Sequence, residues 1–214
     1  MKWSDLSLPW HACLEESWDA YCCGTVPIGA VIADQKGQVV CRGRNRICEQ
    51  QAPPGQTCNS ELAHAELNAL LAIGPRPDAI HDYAIYTAVE PCPLCLGAIY
   101  MSGIRQIYFA TEDAYGGSTN LLGKTWYLAH KPVKVFGPQR GGLAEFACAL
   151  HIEFNLRRYS LPNMVIDMER EVFPLGVALG EQLFQQGLAQ IWAAHGMGAA
   201  LVFDQFQKEF RHDL

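Results

Sequence analysis

Ala84-Ile85-Tyr86-Thr87-Ala88-Val89-Glu90-Pro91-Cys92-Pro93-Leu94-Cys95-Leu96-Gly97-Ala98-Ile99-Tyr100 is the stretch on which the reading of this chain turns. Residues 84–89 form a short apolar run, the pattern of a buried strand. Pro91 sits where a first helical residue tolerates proline, and the pattern continues as a helix to Ser102. A strand passing directly into a helix, with two cysteines three apart at the helix start, is the unit from which the rest is read.

Upstream, Trp10, Cys13, Leu14, Trp18 and Tyr21 recur at three-to-four-residue spacing and predict an amphipathic helix over 6–23, stopped by Gly24. Residues 26–33 and 38–45 are apolar, β-branched runs joined by Asp34-Gln35-Lys36-Gly37, a hairpin signal because the glycine tolerates positive φ. After a polar loop containing Pro53, Pro54, Gly55 and Asn59, Ser60 caps a predicted helix over 61–73 that Gly74-Pro75 ends. Downstream, strands are predicted over 104–110 and 133–136, and a helix over 141–159. Strands alternating with helices predict an α/β fold whose sheet faces are covered by helices.

The chain has 214 residues, enough for one domain with an appendage. We divide it into a domain over 1–160 and a helical C-terminal extension over 161–214. The extension is read as two or three helices packed on the domain, with a dimer surface or a lid as the alternative. Between Val172 and Phe203 the only charged side chain is Glu181, and the glycines at 176, 180, 187, 196 and 198 argue against long helices.

Half the residues are hydrophobic and 18% are charged, so the chain can bury a sizeable core. A net charge of −6 excludes a broadly basic nucleic-acid coat. No apolar run approaches the ~20 residues of a membrane span, and the N-terminal residues lack a secretory apolar stretch. The expectation is a cytoplasmic protein without a membrane partner. Nine cysteines in that compartment are candidates for core filling or metal binding and not for disulfides.

His64, Cys92 and Cys95 supply one imidazole and two sulfurs, the donor types zinc prefers; three protein donors leave a fourth position for water. If strand 84–89 lies between the two helices, both helix starts reach one edge of the sheet, where α/β folds bind ligands. Glu66 is the candidate general acid–base. On a regular helix it lies about 200° around from His64, so the two meet one site only if the first turn is suitably placed. Four-ligand structural zinc, with Cys58 as the fourth donor, is one alternative; a Cys92–Cys95 redox pair is another.

His64-Ala65-Glu66 with Pro91-Cys92-Pro93-Leu94-Cys95 resembles the signature of the zinc-dependent cytidine/deoxycytidylate deaminase superfamily. Val26-Pro27-Ile28-Gly29-Ala30-Val31, Gly43-Arg44-Asn45-Arg46 and Phe109-Ala110-Thr111-Glu112-Asp113-Ala114 are similar to its branch of tRNA adenosine deaminases and guanine deaminases. The resemblance spans about residues 8–158. It implies a three-layer α/β/α fold with a mixed sheet of about five strands, and a homodimer or larger oligomer. It also implies Zn2+ held by His64, Cys92 and Cys95, Glu66 moving protons, and Asn45 and the Ala65 N–H contacting substrate.

The stretch around the cysteines and Glu112 look closest to the guanine-deaminase group, whereas the loop after Asp113 departs from it. We place Asp113 and Tyr115 on the substrate side, Tyr115 as a ring able to stack on a base. The expected partner is a free nucleobase or nucleoside. Adenosine in tRNA is the second reading, because Arg42, Arg44 and Arg46 alternate on one strand face, with Arg157-Arg158 as a further basic spot. Against phosphate contact stands the reading of these arginines as solvated or carboxylate-paired. A catalytically idle zinc module for binding or dimerisation is the alternative from another class.

Overall fold

Strand-forming and helix-forming runs alternate along the chain, and in the computed structural model, which describes residues 1–75, 77–159 and 163–210, they build a five-stranded sheet. The order in chain is α1 (Leu8–Cys22), β1 (Gly29–Ala33), β2 (Val39–Arg44), α2 (Ala65–Leu71), β3 (Ala84–Val89), α3 (Pro93–Ser102), β4 (Gln106–Thr111), β5 (Lys134–Phe136) and α4 (Gly142–Arg158). Across the sheet the order is β2-β1-β3-β4-β5. β1 runs antiparallel to β2 and β3, while β3, β4 and β5 are parallel. The mixed α/β architecture expected from the sequence is therefore present.

Successive side chains of a strand point to opposite faces, and both faces here are covered. Ala30, Ile32, Ile85 and Ile107 pack against Ala65 and Ala69 of α2 and Leu96 and Ile99 of α3. On the other face, Val31 and Ala110 meet Trp10 and Leu14 of α1 and Phe146 and Leu150 of α4. Gly43 lets α2 lie directly on β2: a Cβ there would stand 2.3 Å from the Ala69 nitrogen.

The C-terminal segment differs from the sequence expectation of two or three helices. Among the described residues it has four: α5 (Met164–Val172), α6 (Pro174–Gln186), α7 (Leu188–Ala194) and α8 (Ala199–Glu209). Gly187 and Gly196 lie at positive φ and end the short helices. Gly176 and Gly180 sit inside α6 despite their low helix propensity. Added Cβ atoms there would lie 2.6 Å from Cys148 Sγ and 2.6 Å from Ile152 Cβ, so both glycines let α6 press against α4. Phe203 and Phe206 of α8 meet the Phe146 ring at 5.3 Å each. The Trp18 indole donates to the Met197 carbonyl at 2.7 Å. Residues 160–162, where the sequence reading puts the domain boundary, lie outside the described residues. No helix of the described residues is long and apolar enough to cross a membrane.

Candidate active site

Two helix starts meet at the end of the sheet. Cys92 caps α3 in an extended conformation (φ −69°, ψ 173°), with Pro93 as the first helical residue. The helix thus begins two residues later than Pro91, which the sequence suggested. Leu96 N–H donates to the Cys92 carbonyl at 2.8 Å, bringing Cys95 round the first turn.

His64 likewise precedes its helix in an extended conformation (φ −74°, ψ 155°), and Ala65 opens α2. This corrects the expectation of a helix from residue 61 capped by Ser60. Ser60 instead closes a separate turn, its carbonyl accepting from Ala63 N–H at 2.9 Å, while the Ala63 carbonyl is held by Arg46 N–H at 2.8 Å. Because His64 lies outside the helix, the 200° separation no longer applies, and His64 and Glu66 turn to the same place.

His64 Nδ1 lies 3.5 Å from Cys92 Sγ and 3.5 Å from Cys95 Sγ. The three donor atoms all fall within 4.8 Å of one another. A tetrahedral zinc with bonds near 2.0 Å to nitrogen and 2.3 Å to sulfur needs these donors about 3.5 Å apart, so the set fits the ion. Among the described residues Cys58 does not join this group, so the four-ligand site expected as an alternative is not formed. Nor are Cys92 and Cys95 disulfide-bonded; all nine cysteines are free. Cys95 donating to Cys92, together with His64, holds the Cys92 thiol down to about 4. The same bond and burial push Cys95 well up. The hydrogen bond to Cys92 also raises His64, whose imidazole bonds the Glu61 backbone as well.

Glu66 is buried and its carboxyl is pushed up, chiefly by burial. Its Oε2 accepts from Cys95 Sγ at 3.3 Å and its Oε1 from the Thr87 hydroxyl at 2.9 Å. Thr87 is fully buried in β3 and was not singled out from the sequence. The available signal was the one threonine in a strand of otherwise aliphatic and aromatic residues. Asn45 is buried just past β2; its Oδ1 accepts from the Thr25 hydroxyl at 2.7 Å and from Ile47 N–H at 3.1 Å. That leaves its Nδ2 as a donor. The Ala65 N–H is among the first-turn donors that a helix leaves without an internal partner.

Asp113 and Tyr115 stand on the loop after β4 and line a cleft of about 470 Å³ with Val26, His151 and Asn155. Asp113 Oδ1 accepts from Tyr115 N–H at 3.1 Å and Gly116 N–H at 2.8 Å. Burial pushes the His151 imidazole down, against the opposing pull of Asp113. Met164 and Val165, from the C-terminal segment, line the same cleft. A smaller depression shares Val26, Phe154 and Tyr159 with it and extends to Glu61, beside His64.

His64, Cys92 and Cys95 line neither space; the loop is tied to the cysteine turn by Ser118 N–H donating to the Pro91 carbonyl at 3.0 Å. Glu90, also not anticipated, holds the far end of the loop, its Oε1 accepting from Thr119 N–H at 2.9 Å and from the Thr119 hydroxyl.

Four of the five arginines named from the sequence are engaged elsewhere, while Arg158 lines the depression that reaches Glu61. Arg42 pairs with Glu15 at 2.7 Å, Arg44 with Glu49 at 2.9 Å, and Arg46 with the same Glu49 at 2.5 Å. Arg157 pairs with Glu153 and the Tyr21 hydroxyl. This agrees with the carboxylate-paired reading of the arginines.

The zinc-binding region of the cytidine and deoxycytidylate deaminases matches residues 4–111. The guanine deaminase of Bacillus subtilis (strain 168) is 35% identical over 88 residues, covering 40% of this chain and 51% of that protein. The tRNA-specific adenosine deaminase of the same organism is 33% identical over 104 residues, covering 46% of this chain and 57% of that protein. The chain thus spans about half the length of these curated relatives. The solved guanine deaminase of Nitrosomonas europaea is alike in fold, with a TM-score of 0.54 at 24% identity over 70% of this chain and 86% of that one.

Proposed function

Because this chain belongs to the family defined by the cytidine and deoxycytidylate deaminase zinc-binding region, we propose that it hydrolytically removes an exocyclic amine from a free nucleobase, nucleoside or related heterocycle, a guanine-like base being favoured. The observation that carries the reaction class is the Glu66 carboxylate, buried and fixed by Thr87 immediately beside a His/Cys/Cys donor set. A structural metal site needs no such carboxylate, which argues against an idle zinc module.

His64, Cys92 and Cys95 would hold zinc, which would supply a Lewis acid able to make water acidic enough to lose a proton near neutral pH. Glu66 takes one proton of the attacking water and passes it to the ring nitrogen next to the amine-bearing carbon. The second water proton travels by the same carboxylate to the amine. The C–N bond breaks, ammonia leaves, and the ring carbon becomes a carbonyl. Thr87 orients the carboxylate for both transfers. Asn45 Nδ2 and the Ala65 N–H donate to acceptors on the ring and hold its plane.

Support for a small substrate comes from the ion pairs of Arg42, Arg44 and Arg46, which engage with carboxylates the cations that would otherwise face a polynucleotide. Asp113 keeps Oδ2 outside its turn, an acceptor suited to the N–H donors along one edge of guanine. Nine free cysteines suit a reducing cytoplasm. Exposed Met101 and Trp126 are apolar enough for the homodimer we propose, to be read by light scattering.

Ammonia release from guanine, adenine, cytosine, their nucleosides and a tRNA anticodon stem tests the reading. Release from a free base or nucleoside is expected. Release from the tRNA stem alone would replace the small-molecule assignment with RNA editing, and release from none would favour the idle module.

A further inference from the structure

We infer that Glu169 is a positioning residue for the cleft lined by Asp113 and Tyr115, which the proposed function takes as the approach for substrate: from α5, in the C-terminal segment, its carboxylate holds the Ala114 N–H and so sets Asp113 and Tyr115 against α4. Glu169 and Ile166 are the buried residues of that helix. Glu169 is 4% exposed, and its Oε2 accepts from Ala114 N–H at 3.0 Å across 55 residues of chain.

Ala114 stands between the two loop residues that line the cleft. The far end of the same loop is anchored separately, Thr119 to Glu90 and Ser118 to the Pro91 carbonyl. The near end has only its own turn, closed by Asp113 Oδ1 and by Gly117 N–H on the Asp113 carbonyl, besides the Glu169 bond. Removing the carboxylate leaves that turn free to move as a unit.

The setting argues that the bond has a purpose. The groups facing Glu169 are Asp113 and Glu112 from the β4 end, Glu90 from the β3 end and Cys148 from α4, its Sγ 4.0 Å from Oε1. Burial, reinforced by the like charges, pushes the Glu169 carboxyl up to about 7. A carboxylate kept in such a place opposes folding unless it gains a partner, and Ala114 N–H is that partner. The helices appended to the sheet therefore shape the cleft as well as cover the core.

The test uses the full chain, zinc-loaded, with Glu169→Gln, which keeps an acceptor, and Glu169→Met, which fills the volume without one. Met also removes a buried charge, so the variant is expected to fold. For Glu169→Met we expect KM for the deaminated base to rise roughly ten- to a hundredfold with kcat nearly unchanged, the size of one lost charge-assisted hydrogen bond. Backbone amide exchange at residues 113–117 should quicken about tenfold or more, and Glu169→Gln should restore most of both effects. Parental KM and exchange in Glu169→Met overturn the inference, as does an equal KM rise in both variants without faster exchange. The KM measurement rests on the deaminase reading and the exchange measurement does not. A parent that releases no ammonia from any substrate therefore refutes the function, while the exchange data still decide the role of Glu169.

Discussion

Gly43→Ala probes how tightly the chemistry depends on the seat of α2. The new Cβ would lie 2.3 Å from the Ala69 nitrogen, 2.5 Å from the Ala65 carbonyl oxygen and 2.8 Å from the Asn68 carbonyl carbon. All three are backbone atoms of one helix, so no side chain can swing aside. Ordinary contact begins near 3.4 Å, and α2 must therefore withdraw from β2 by about 1 Å. The helix carries Glu66 in its first turn and His64 immediately before it, whereas Cys92 and Cys95 stand on α3 and do not move with it. A displacement of about 1 Å between catalytic groups costs roughly 10²-fold in rate. Overpacking of this kind adds a destabilisation of about 1–3 kcal/mol. The assay is ammonia release at saturating substrate, with zinc content measured on the same sample and Tm taken by calorimetry. A folded variant with kcat down about a hundredfold is expected. Parental turnover in a folded, zinc-replete Gly43→Ala protein would refute the claim that the spacing of the two helix starts sets the activity.

The remaining predictions concern the carboxylates, the metal and the C-terminal helices. Glu66→Gln should lose about 10²–10⁴ in kcat, the worth of a general acid–base, while retaining zinc by atomic absorption. Chelation should abolish ammonia release and added zinc restore it, whereas Cys95→Ala should fail to hold the metal stoichiometrically. Glu169 has a folded pKa of about 7 against an ordinary value of 4.5, so in the window between them the unfolded chain binds fewer protons. Its favourable contribution is therefore complete below pH 4.5 and lost as pH rises through 7. Tm of the parent should fall more steeply across that window than Tm of Glu169→Gln, and parallel profiles would count against the raised pKa. Gly180→Ala, whose Cβ would meet Ile152 Cβ at 2.6 Å, should lower stability by about 1–3 kcal/mol in urea unfolding without changing zinc content.

The metal donors were legible because each is a local chemical choice. Two cysteines one turn apart, taken with a histidine before the preceding helix, offer the donor types zinc prefers. The strand over 84–89 and the hairpin before it were legible for a related reason: short apolar, β-branched runs and a turn glycine act within a few residues. The start of α2 was misread because Ser60 is as good a cap for a turn as for a helix. What decides between them is the bond from Arg46 N–H to the Ala63 carbonyl, which draws the segment along β2. The glycines of α6 were misread for the converse reason. Their propensity cost is local, but the close contact with Cys148 and Ile152 that they permit is supplied by another helix.

Residue types and short-range patterns were thus enough to show which atoms could hold an ion and that helices and strands alternate, while the resemblance to the deaminases named Glu66 as the candidate proton carrier. Tertiary packing alone decided that His64 and Glu66 face one point, that Thr87 orients the carboxylate, and that Glu169 reaches a loop 55 residues away. Donor chemistry belongs to a side chain and is carried in its name. Orientation belongs to contacts between segments far apart in the chain, and these exist only once the sheet has brought them together.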